Sequence, residues 1–454
     1  MSDAPIATWQ HSIAAIATAI GESAIGIVRI SGPDALIIAD KMSAGMATRA
    51  TERKALLCNI TDQEGELIDQ VLLTVFRAPH SYTGENVCEI AGHGGILVMR
   101  RLLERSLQCG ALAAGPGEFT QRAFLQGKLD LTQAEAVMDL ISAQTNYAIR
   151  AANEQREGLL GRRTEELRDD LLESIAHLEA YIDFPEEDIS PEVGLLLLQR
   201  LQRIQQSIEK LLATADRGRI IREGVRTVIH GAVNTGKSSL LNRLLGYERA
   251  IVSPIAGTTR DTIEENVSCG GIILHLIDTA GIRDGSADVI EQEGMRRSAV
   301  QVERADLVMA LYDATQAAPD KFPEKSSPQQ FVLPVLNKCD CAEHPSWLGM
   351  NILRLSCKTG EGLQQLETAI TLKVMCAEID QGQNLIAINA RHQNCLHRAS
   401  DSLQRAIPML NQGGDLALIS IELREALDSL GEISGKIDSD DILGVIFSRF
   451  CIGK

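Results

Sequence analysis

Aromatic residues make up only 3% of the 454-residue chain. Stacking of successive bases on aromatic rings is therefore not expected as its main device for holding nucleic acid. Positive charge is short as well: 44 Lys and Arg stand against 61 Asp and Glu, a formal net charge of −17. Such a chain repels a polyanion overall, although it can still act on RNA beside a basic partner. The ten cysteines are scattered and include no C-x-x-C pair. Cys339 and Cys341 lie too close for an ordinary zinc pair and no second pair follows, so reduced thiols in a cytosolic protein are expected. No run approaches the roughly 18 consecutive apolar residues of a spanning helix. The first ten residues have neither a basic n-region nor an apolar core, nor are they rich in Arg. A membrane span, a signal peptide and an import signal are not expected, and a cytoplasmic location is.

What is present is a phosphate-binding signature. Val225 to Ile229 reads as a buried parallel strand. It is followed by Gly231-Ala232-Val233-Asn234-Thr235-Gly236-Lys237-Ser238 and then by helical spacing from Ser239 to Leu245. Strand, glycine loop, Lys-Ser and helix form the context in which G-x-x-x-x-G-K-S cradles phosphates. Glycines let successive N–H groups turn inward, and the helix N-terminus adds positive potential. Lys237 reaches the outer phosphates and Ser238 can ligate Mg²⁺.

The motifs that follow narrow the nucleotide. Asp278-Thr279-Ala280-Gly281 succeeds the apolar run Ile272 to Ile277; its carboxylate can hold Mg²⁺ through water and its glycine N–H can sense a γ-phosphate. Gly257-Thr258-Thr259 lies between this motif and the loop, with Thr259 placed to complete Mg²⁺ coordination. Asn337-Lys338-Cys339-Asp340 ends another strand, and Asp340 can accept both guanine N1–H and N2–H. Ser356-Cys357-Lys358, one strand later, can back the base through a main-chain N–H. In this order the set specifies a GTPase. The residue after Gly281 is Ile282, where Ras-type enzymes carry the glutamine that orients water. Another group must assist. Asn234 is a candidate ligand for a monovalent cation that supplies charge beside the phosphates, and Glu291 is a candidate to position water.

The flanks read differently. Ala24 to Ile30, Val71 to Phe76 and Val87 to Ile90 look like strands, with an amphipathic helix after Gly95, as in a small α+β domain. Arg29 and Glu89 interrupt two of these strands; period-2 alternation onto a solvent face and a polar pocket are both open readings. His80 and His93 sit in glycine-bearing loops. From Thr132 to about Ile182 the chain is helical, opened by the capping-box pattern Thr132-Gln133-Ala134-Glu135, and Pro185 stops it. Leu195 to Arg217 and the stretch after Met375 are helical again. The expected fold is an α/β P-loop GTPase domain (222–375) inserted into an all-helical domain (128–221 and 376–454), preceded by an α+β domain (1–127).

Along nearly its whole length the chain resembles the MnmE (TrmE) family of tRNA-modification GTPases. The residues that carry the resemblance are Gly26 to Gly32, Ser81 to Glu85, Gly92-His93-Gly94-Gly95, Pro116 to Phe124, Lys128 to Ala136, Gly257 to Asp261 and the terminal Phe450-Cys451-Ile452-Gly453-Lys454. The resemblance implies a GTPase that acts with an FAD-containing, MnmG-type partner in a heterotetramer. Together they build the aminomethyl or carboxymethylaminomethyl group at C5 of the wobble uridine of certain tRNAs. The tRNA itself is expected to be held mainly by the partner. The resemblance further implies a homodimer joined through the N-terminal domains, which bind 5-formyl- or methylene-tetrahydrofolate by Arg29, Glu89, Lys128 and Lys454. Cys451 would lie near the one-carbon chemistry. Potassium would be held by Asn234, Ser253, Ile255 and Thr258, and Mg²⁺ by Ser238 and Thr259. The GTP site would comprise Asn234 to Ser239, Ser253 to Thr259 (with Pro254, Ala256 and Gly257), Asp278 to Gly281, Asn337, Lys338, Asp340, Ser356, Cys357 and Lys358. The chain departs from the family pattern at Val233, where a proline is usual, and in Ala19-Ile20-Gly21-Glu22-Ser23-Ala24 at the edge of the folate pocket. Spacing to the water-positioning glutamate makes Glu293 the fallback to Glu291. The alternative is a regulatory GTPase in ribosome assembly.

Overall fold

The computed structural model describes residues 10–183, 191–247, 265–277, 301–327, 330–374, 387–436, 440–448 and 450–454. The chain divides into two compact units, each assembled from separated stretches. One holds residues 1–138, 160–177 and 423–454; the other holds 139–159 and 178–422.

The first unit begins with strands β1 (Ile13–Ile16) and β2 (Ser23–Ser31), then helices α1 (Ala35–Ser43) and α2 (Met46–Arg49). Strands β3 (Leu56–Thr61), β4 (Leu67–Phe76) and β5 (Val87–Gly94) follow, then α3 (Ile96–Gln108), β6 (Leu112–Ala113), α4 (Glu118–Leu125) and α5 (Leu131–Ser142). The sheet order is β3-β4-β5-β2-β1-β6. Every pair is antiparallel except β1–β6. Period-2 alternation explains which side is covered. Val28, Ile30, Leu73, Val75 and Ile90 are buried with Ile38 and Met42 of α1 and Met99 and Leu102 of α3. Arg29 and Glu89 fall on the opposite pleat and face each other in register across β2 and β5.

The second unit contains α6 (Asn146–Arg156), the helices that follow from Pro191 to Tyr247 and a second sheet. Helix α7 (Leu159–Asp183) and helix α13 (Leu416–Ser434) contribute to both units. Helices α8 (Pro191–Leu212) and α9 (Ala215–Glu223) lead into β7 (Val225–His230) and α10 (Lys237–Tyr247). Strands β8 (Glu265–Cys269), β9 (Ile272–Leu276), β10 (Leu307–Asp313), β11 (Phe331–Asn337) and β12 (Leu353–Arg354) complete the sheet. Its order is β12-β11-β10-β7-β9-β8, parallel apart from the β8–β9 pair. Near-continuous apolar strands such as Leu307 to Leu311 suit a parallel sheet covered on both faces. Helices α11 (Leu363–Val374), α12 (Ala390–Asn411) and, in the first unit, α14 (Asp440–Ser448) end the series. Helix α8 packs along α12, with Gln205 Nε2 donating to Ser400 Oγ at 3.0 Å.

Two local expectations shift. The helical stretch after residue 130 is not one rod but three helices, α5, α6 and α7, broken around residues 143–145 and at Glu157-Gly158, where Gly158 has φ 79°. The capping box also lies two residues earlier than expected. Asp130 Oδ1 accepts from Gln133 N at 2.9 Å while Gln133 Oε1 accepts from Asp130 N at 2.9 Å. Thr132 is already helical and donates its hydroxyl to Asp130. An aspartate satisfies the N-terminal donors as well as a threonine does, so the pattern was legible in two registers.

Behind the site-bearing face of the first sheet lies Arg122 of α4, whose side chain is 0% exposed. Its Nη2 donates to Glu118 Oε1 at 2.8 Å, and its Nη1 donates to Glu85 Oε2 at 3.2 Å and to the His11 carbonyl at 3.2 Å. Glu85 also accepts from Ser31 Oγ at 2.7 Å, which fixes the end of β2 to the loop before β5. Removing one member of a buried ionic cluster strands the others. Arg122→Met is expected to lower stability by about 3–5 kcal/mol in urea unfolding. Combining it with Glu85→Gln and Glu118→Gln should recover part of the loss. An unchanged unfolding midpoint in the single variant would remove Arg122 from this role.

Candidate functional site

The second unit presents a phosphate cradle at the switch point of its sheet. β7 runs between β10 and β9, and its chain leaves through Gly231 to Gly236 before α10 starts at Lys237. Asn234 (φ 66°) and Gly236 (φ 98°) are both left-handed, which turns the loop back on itself. A Cβ at position 236 would stand 2.3 Å from Asn337 Nδ2, so only glycine lets the two motifs meet. Lys237 Nζ donates to the Gly231 and Ala232 carbonyls at 2.9 and 2.8 Å, which holds the ammonium over the loop mouth. Burial lowers its pKa below the ordinary lysine value. Thr235 is buried, with Oγ1 donating to Ala232 O at 2.9 Å, whereas Ser238 and Ser239 are exposed at the start of α10.

Asn337 connects this loop to the segment around Cys357. Its Nδ2 donates to Thr235 O at 2.8 Å and its Oδ1 accepts from Cys357 N at 3.0 Å, at 2% exposure. The Cys357 N–H is thus already engaged, and burial pushes the Cys357 thiol up to about 11. Asp340 is exposed. Its Oδ1 accepts from Ser356 Oγ at 2.7 Å, and that bond holds its pKa below the ordinary carboxylate value. Lys338 (φ 65°) pairs with Asp313 Oδ2 at 2.7 Å. Burial alone would raise the Asp313 pKa, but hydrogen bonds from Lys338 and Thr315 outweigh it and lower the value. The Lys358 carbonyl accepts from Arg243 Nη2 at 3.0 Å, tying α10 to the same loop. Ser253, Pro254, Ile255, Ala256, Gly257, Thr258, Thr259, Asp278, Thr279, Ala280, Gly281, Ile282, Glu291 and Glu293 lie outside the described residues.

His230, the last residue of β7, escaped the sequence reading. It borders a cavity of about 330 Å³ with Tyr312, Lys321 and Phe322. Burial, and then Lys237, lower its pKa below the ordinary histidine value. The available signal was a polar residue directly before the first glycine of the loop.

The first unit carries a second constellation. Arg29 Nε and Nη2 donate to Glu89 Oε1 at 3.0 and 2.8 Å, with side chains 15% and 25% exposed. The guanidinium lies 5.6 Å from the ring centroids of both Tyr82 and Phe119, within cation–π range. The chain terminus joins them. Ile452 bridges to Pro116, Gly117 N donates to Cys451 O at 3.4 Å, and Arg29 Nη1 donates to Gly453 O at 3.5 Å. Gly453 has φ 99° and sits where a Cβ would stand 2.4 Å from Ile16 O. Lys454 lies close enough to Arg29, Glu89 and Cys451 to feel their charges. Burial first, then Arg29, lower its pKa. Cys451 is exposed. The structure therefore brings Arg29, Glu89, Cys451 and Lys454 together. Lys128 is held at the far end of the loop that carries Tyr82, its Nζ donating to Pro79 O at 3.0 Å. Tyr82 and Phe119 lie in two of the stretches that carry the family resemblance, but neither was expected as a site residue: one aromatic in a polar loop and one in a short helix leave no periodic signal. The two open readings of Arg29 and Glu89 are decided by register: they share a pleat, and that pleat is covered by the chain terminus rather than open to solvent.

Comparison with known proteins bears on both constellations. The sequence profile of the MnmE helical domain matches residues 131–451, and that of the GTP-binding protein TrmE N-terminus matches residues 12–128. The chain is 50% identical over 448 residues to the tRNA modification GTPase MnmE of Akkermansia muciniphila, covering 98% of this chain and 99% of that protein. It is 42% identical to the proteins of the same name from Alkaliphilus metalliredigens and Opitutus terrae, again over 98% of this chain and 99% of each relative. The chain belongs to the MnmE (TrmE) family.

Proposed function

We propose that this protein is a GTP hydrolase acting in tRNA modification, with the phosphate cradle as its hydrolytic site and the Arg29–Lys454 constellation as a one-carbon donor site. The observation that carries the hydrolase reading is the Asn337 amide, which links the phosphate loop to the base-reading segment through Thr235 and Cys357. A nucleotide bound there meets Lys237 at its phosphates and Asp340 at its base. Mg²⁺ would be held by Ser238 with Thr259, and potassium by Asn234 with Ser253, Ile255 and Thr258. Potassium supplies charge that Ile282 cannot, and Glu291 orients water, so hydrolysis is potassium-stimulated in this reading.

The donor-site reading rests on chemistry as well as family. A half-buried lysine beside an arginine, offset by one glutamate, suits a ligand with both carboxylates and N–H donors, as tetrahydrofolate has. Lys128 would meet the same ligand from the loop's far end, and Cys451 stands beside the reacting carbon. The finer assignment follows. A homodimer works with an FAD-containing partner to form the C5 aminomethyl or carboxymethylaminomethyl group on wobble uridine, with domains at 1–127, 128–221 plus 376–454, and 222–375. Mass spectrometry of tRNA nucleosides from cells lacking the protein tests this directly. The modified uridine should disappear and return with the wild-type gene but not with Lys454→Ala. Unchanged nucleosides would overturn the assignment.

Three further outcomes are expected. Asp340→Asn should weaken GTP binding by at least about 100-fold, because a donor then faces guanine donors, and should admit xanthosine triphosphate. Equal GTP affinity in both proteins would remove Asp340 from base reading. GTP turnover in KCl should exceed turnover in equimolar NaCl by at least about tenfold; equal rates would eliminate the cation. The third concerns pH. The lowered Lys454 pKa means its amine loses its proton below the ordinary lysine value. Folding then gains stability as pH rises through that alkaline window, since the buried charge is relieved, but a bound carboxylate loses its partner. Tetrahydrofolate affinity should accordingly fall in one alkaline step, and Lys454→Arg should abolish the step. A flat profile in the wild type would rule out this contact.

A further inference from the structure

One face of the first unit reverses the charge balance of the chain. Arg49 and Arg53, Lys54, Arg77 and Lys128 converge there, in a protein with 61 acidic and 44 basic residues. Their convergence is set by main-chain carbonyls. Arg53 Nη2 donates to His80 O at 3.0 Å, Lys128 Nζ donates to the preceding Pro79 O at 3.0 Å, and Arg77 Nη2 donates to Thr48 O at 3.1 Å. Arg49 is the last residue of α2, and Lys54 closes the turn that follows it, its N–H donating to the Thr51 carbonyl at 3.2 Å. Arg49, Arg53, Lys54 and Lys128 are exposed, and Arg77 is half-buried. Among the described residues the only carboxylate paired with any of the five is Glu52, 3.7 Å from Arg53. The nearby Asp40 is occupied by the Thr48 N–H and hydroxyl.

A cation anchored on a carbonyl keeps its full charge and its remaining N–H groups for an external anion. Three of the five are arginines, whose planar fork matches phosphate oxygens. The cavity beside His230 and the one between Ile16 and Met99 are lined by other residues. The loop that organises the cations, from Arg77 to Asn86, also carries Tyr82 against Arg29. A polymer laid on the cations is thereby brought to the loop that borders the Arg29–Lys454 site.

We propose that Arg49, Arg53, Lys54, Arg77 and Lys128 form a docking face for the phosphodiester backbone of the substrate RNA, so that this acidic chain contacts RNA itself. The proposal rests on the tRNA-modification reading. It assigns positioning, not base recognition, since phosphate contacts carry register and no sequence information.

The test uses the full-length protein and an anticodon stem-loop RNA with uridine at the wobble position. Binding is followed by fluorescence anisotropy at several KCl concentrations. The variant is Arg49→Gln/Arg53→Gln/Lys54→Gln/Arg77→Gln, which leaves Lys128 intact, and unchanged basal GTP hydrolysis verifies its fold. The expected result is an affinity loss of at least tenfold and a salt slope shallower by about 3–4, as four lost contacts dictate. An unchanged affinity and slope, or no binding by the wild-type protein at low salt, overturns the proposal. A second arm compares mono- and pentaglutamyl tetrahydrofolate. If the variant loses only the pentaglutamyl preference and keeps RNA affinity, the face serves a polycarboxylate and the RNA assignment falls. Nucleoside analysis of the deletion strain is independent of both arms, so failure of the face and failure of the tRNA reading are told apart.

Discussion

The nucleotide cradle depends on the two hydrogen bonds of the Asn337 amide. Nδ2 holds the carbonyl of Thr235 and Oδ1 holds the N–H of Cys357, so three motifs spread over residues 231 to 358 become one rigid surface. The amide is almost fully buried, and a buried amide with both ends paired resists rearrangement. Replacing it by aspartate would set an acceptor against the Thr235 carbonyl. Gly236 completes the constraint, because any side chain there would occupy the space the Asn337 amide needs. Sequence motifs that look independent are thus mutually required by packing.

A different constraint organises the first unit. The last residues of the chain must return to its first strands, since Arg29 and Gly453 are 424 positions apart and yet within hydrogen-bonding range. That return is fixed upstream by apolar packing: Leu443, Phe447 and Phe450 are buried with Leu131 and Ala134 of α5. Helix α14 therefore acts as a hydrophobic anchor that delivers a polar terminus. The left-handed Gly453 then lets the backbone pass against Ile16 without a clash. Loss of the anchor would leave Arg29 and Glu89 in place but strip Lys454 and Cys451 from them.

Much of this was legible in the sequence, for identifiable reasons. The strand–loop–helix around Lys237 and the strands bearing Arg29 and Glu89 follow from periodicity and turn chemistry, which are local. The helix breaks around 143–145 and at Gly158 were missed because the polar helical pattern continues across them, although Gly158, with φ 79°, is a local signal for the second. The cap at Asp130 was misplaced by two residues because Asp130-x-x-Gln133 and Thr132-x-x-Glu135 both satisfy the same rule. His230 carries no motif, and Tyr82, Phe119 and Arg122 lie in Ser81 to Glu85 and Pro116 to Phe124, stretches that mark the family without giving any of the three a role. Their roles arise from contacts between segments far apart in sequence, which no local spacing encodes.

The electrostatics of the Arg29 site set what it can receive. Glu89 gives one oxygen to both Arg29 Nε and Nη2, so a single carboxylate balances that guanidinium. Lys454 is then a second cation in the same enclosure, disfavoured by burial and by Arg29, and only partly offset by Glu89 and Cys451. A second carboxylate arriving from a ligand would relieve that imbalance, whereas a neutral ligand would leave it standing. Binding of an anion would also raise the Lys454 pKa back toward its ordinary value, taking up protons at alkaline pH. A carboxylate brought by a ligand would therefore pair with the Lys454 ammonium and relieve its repulsion from Arg29.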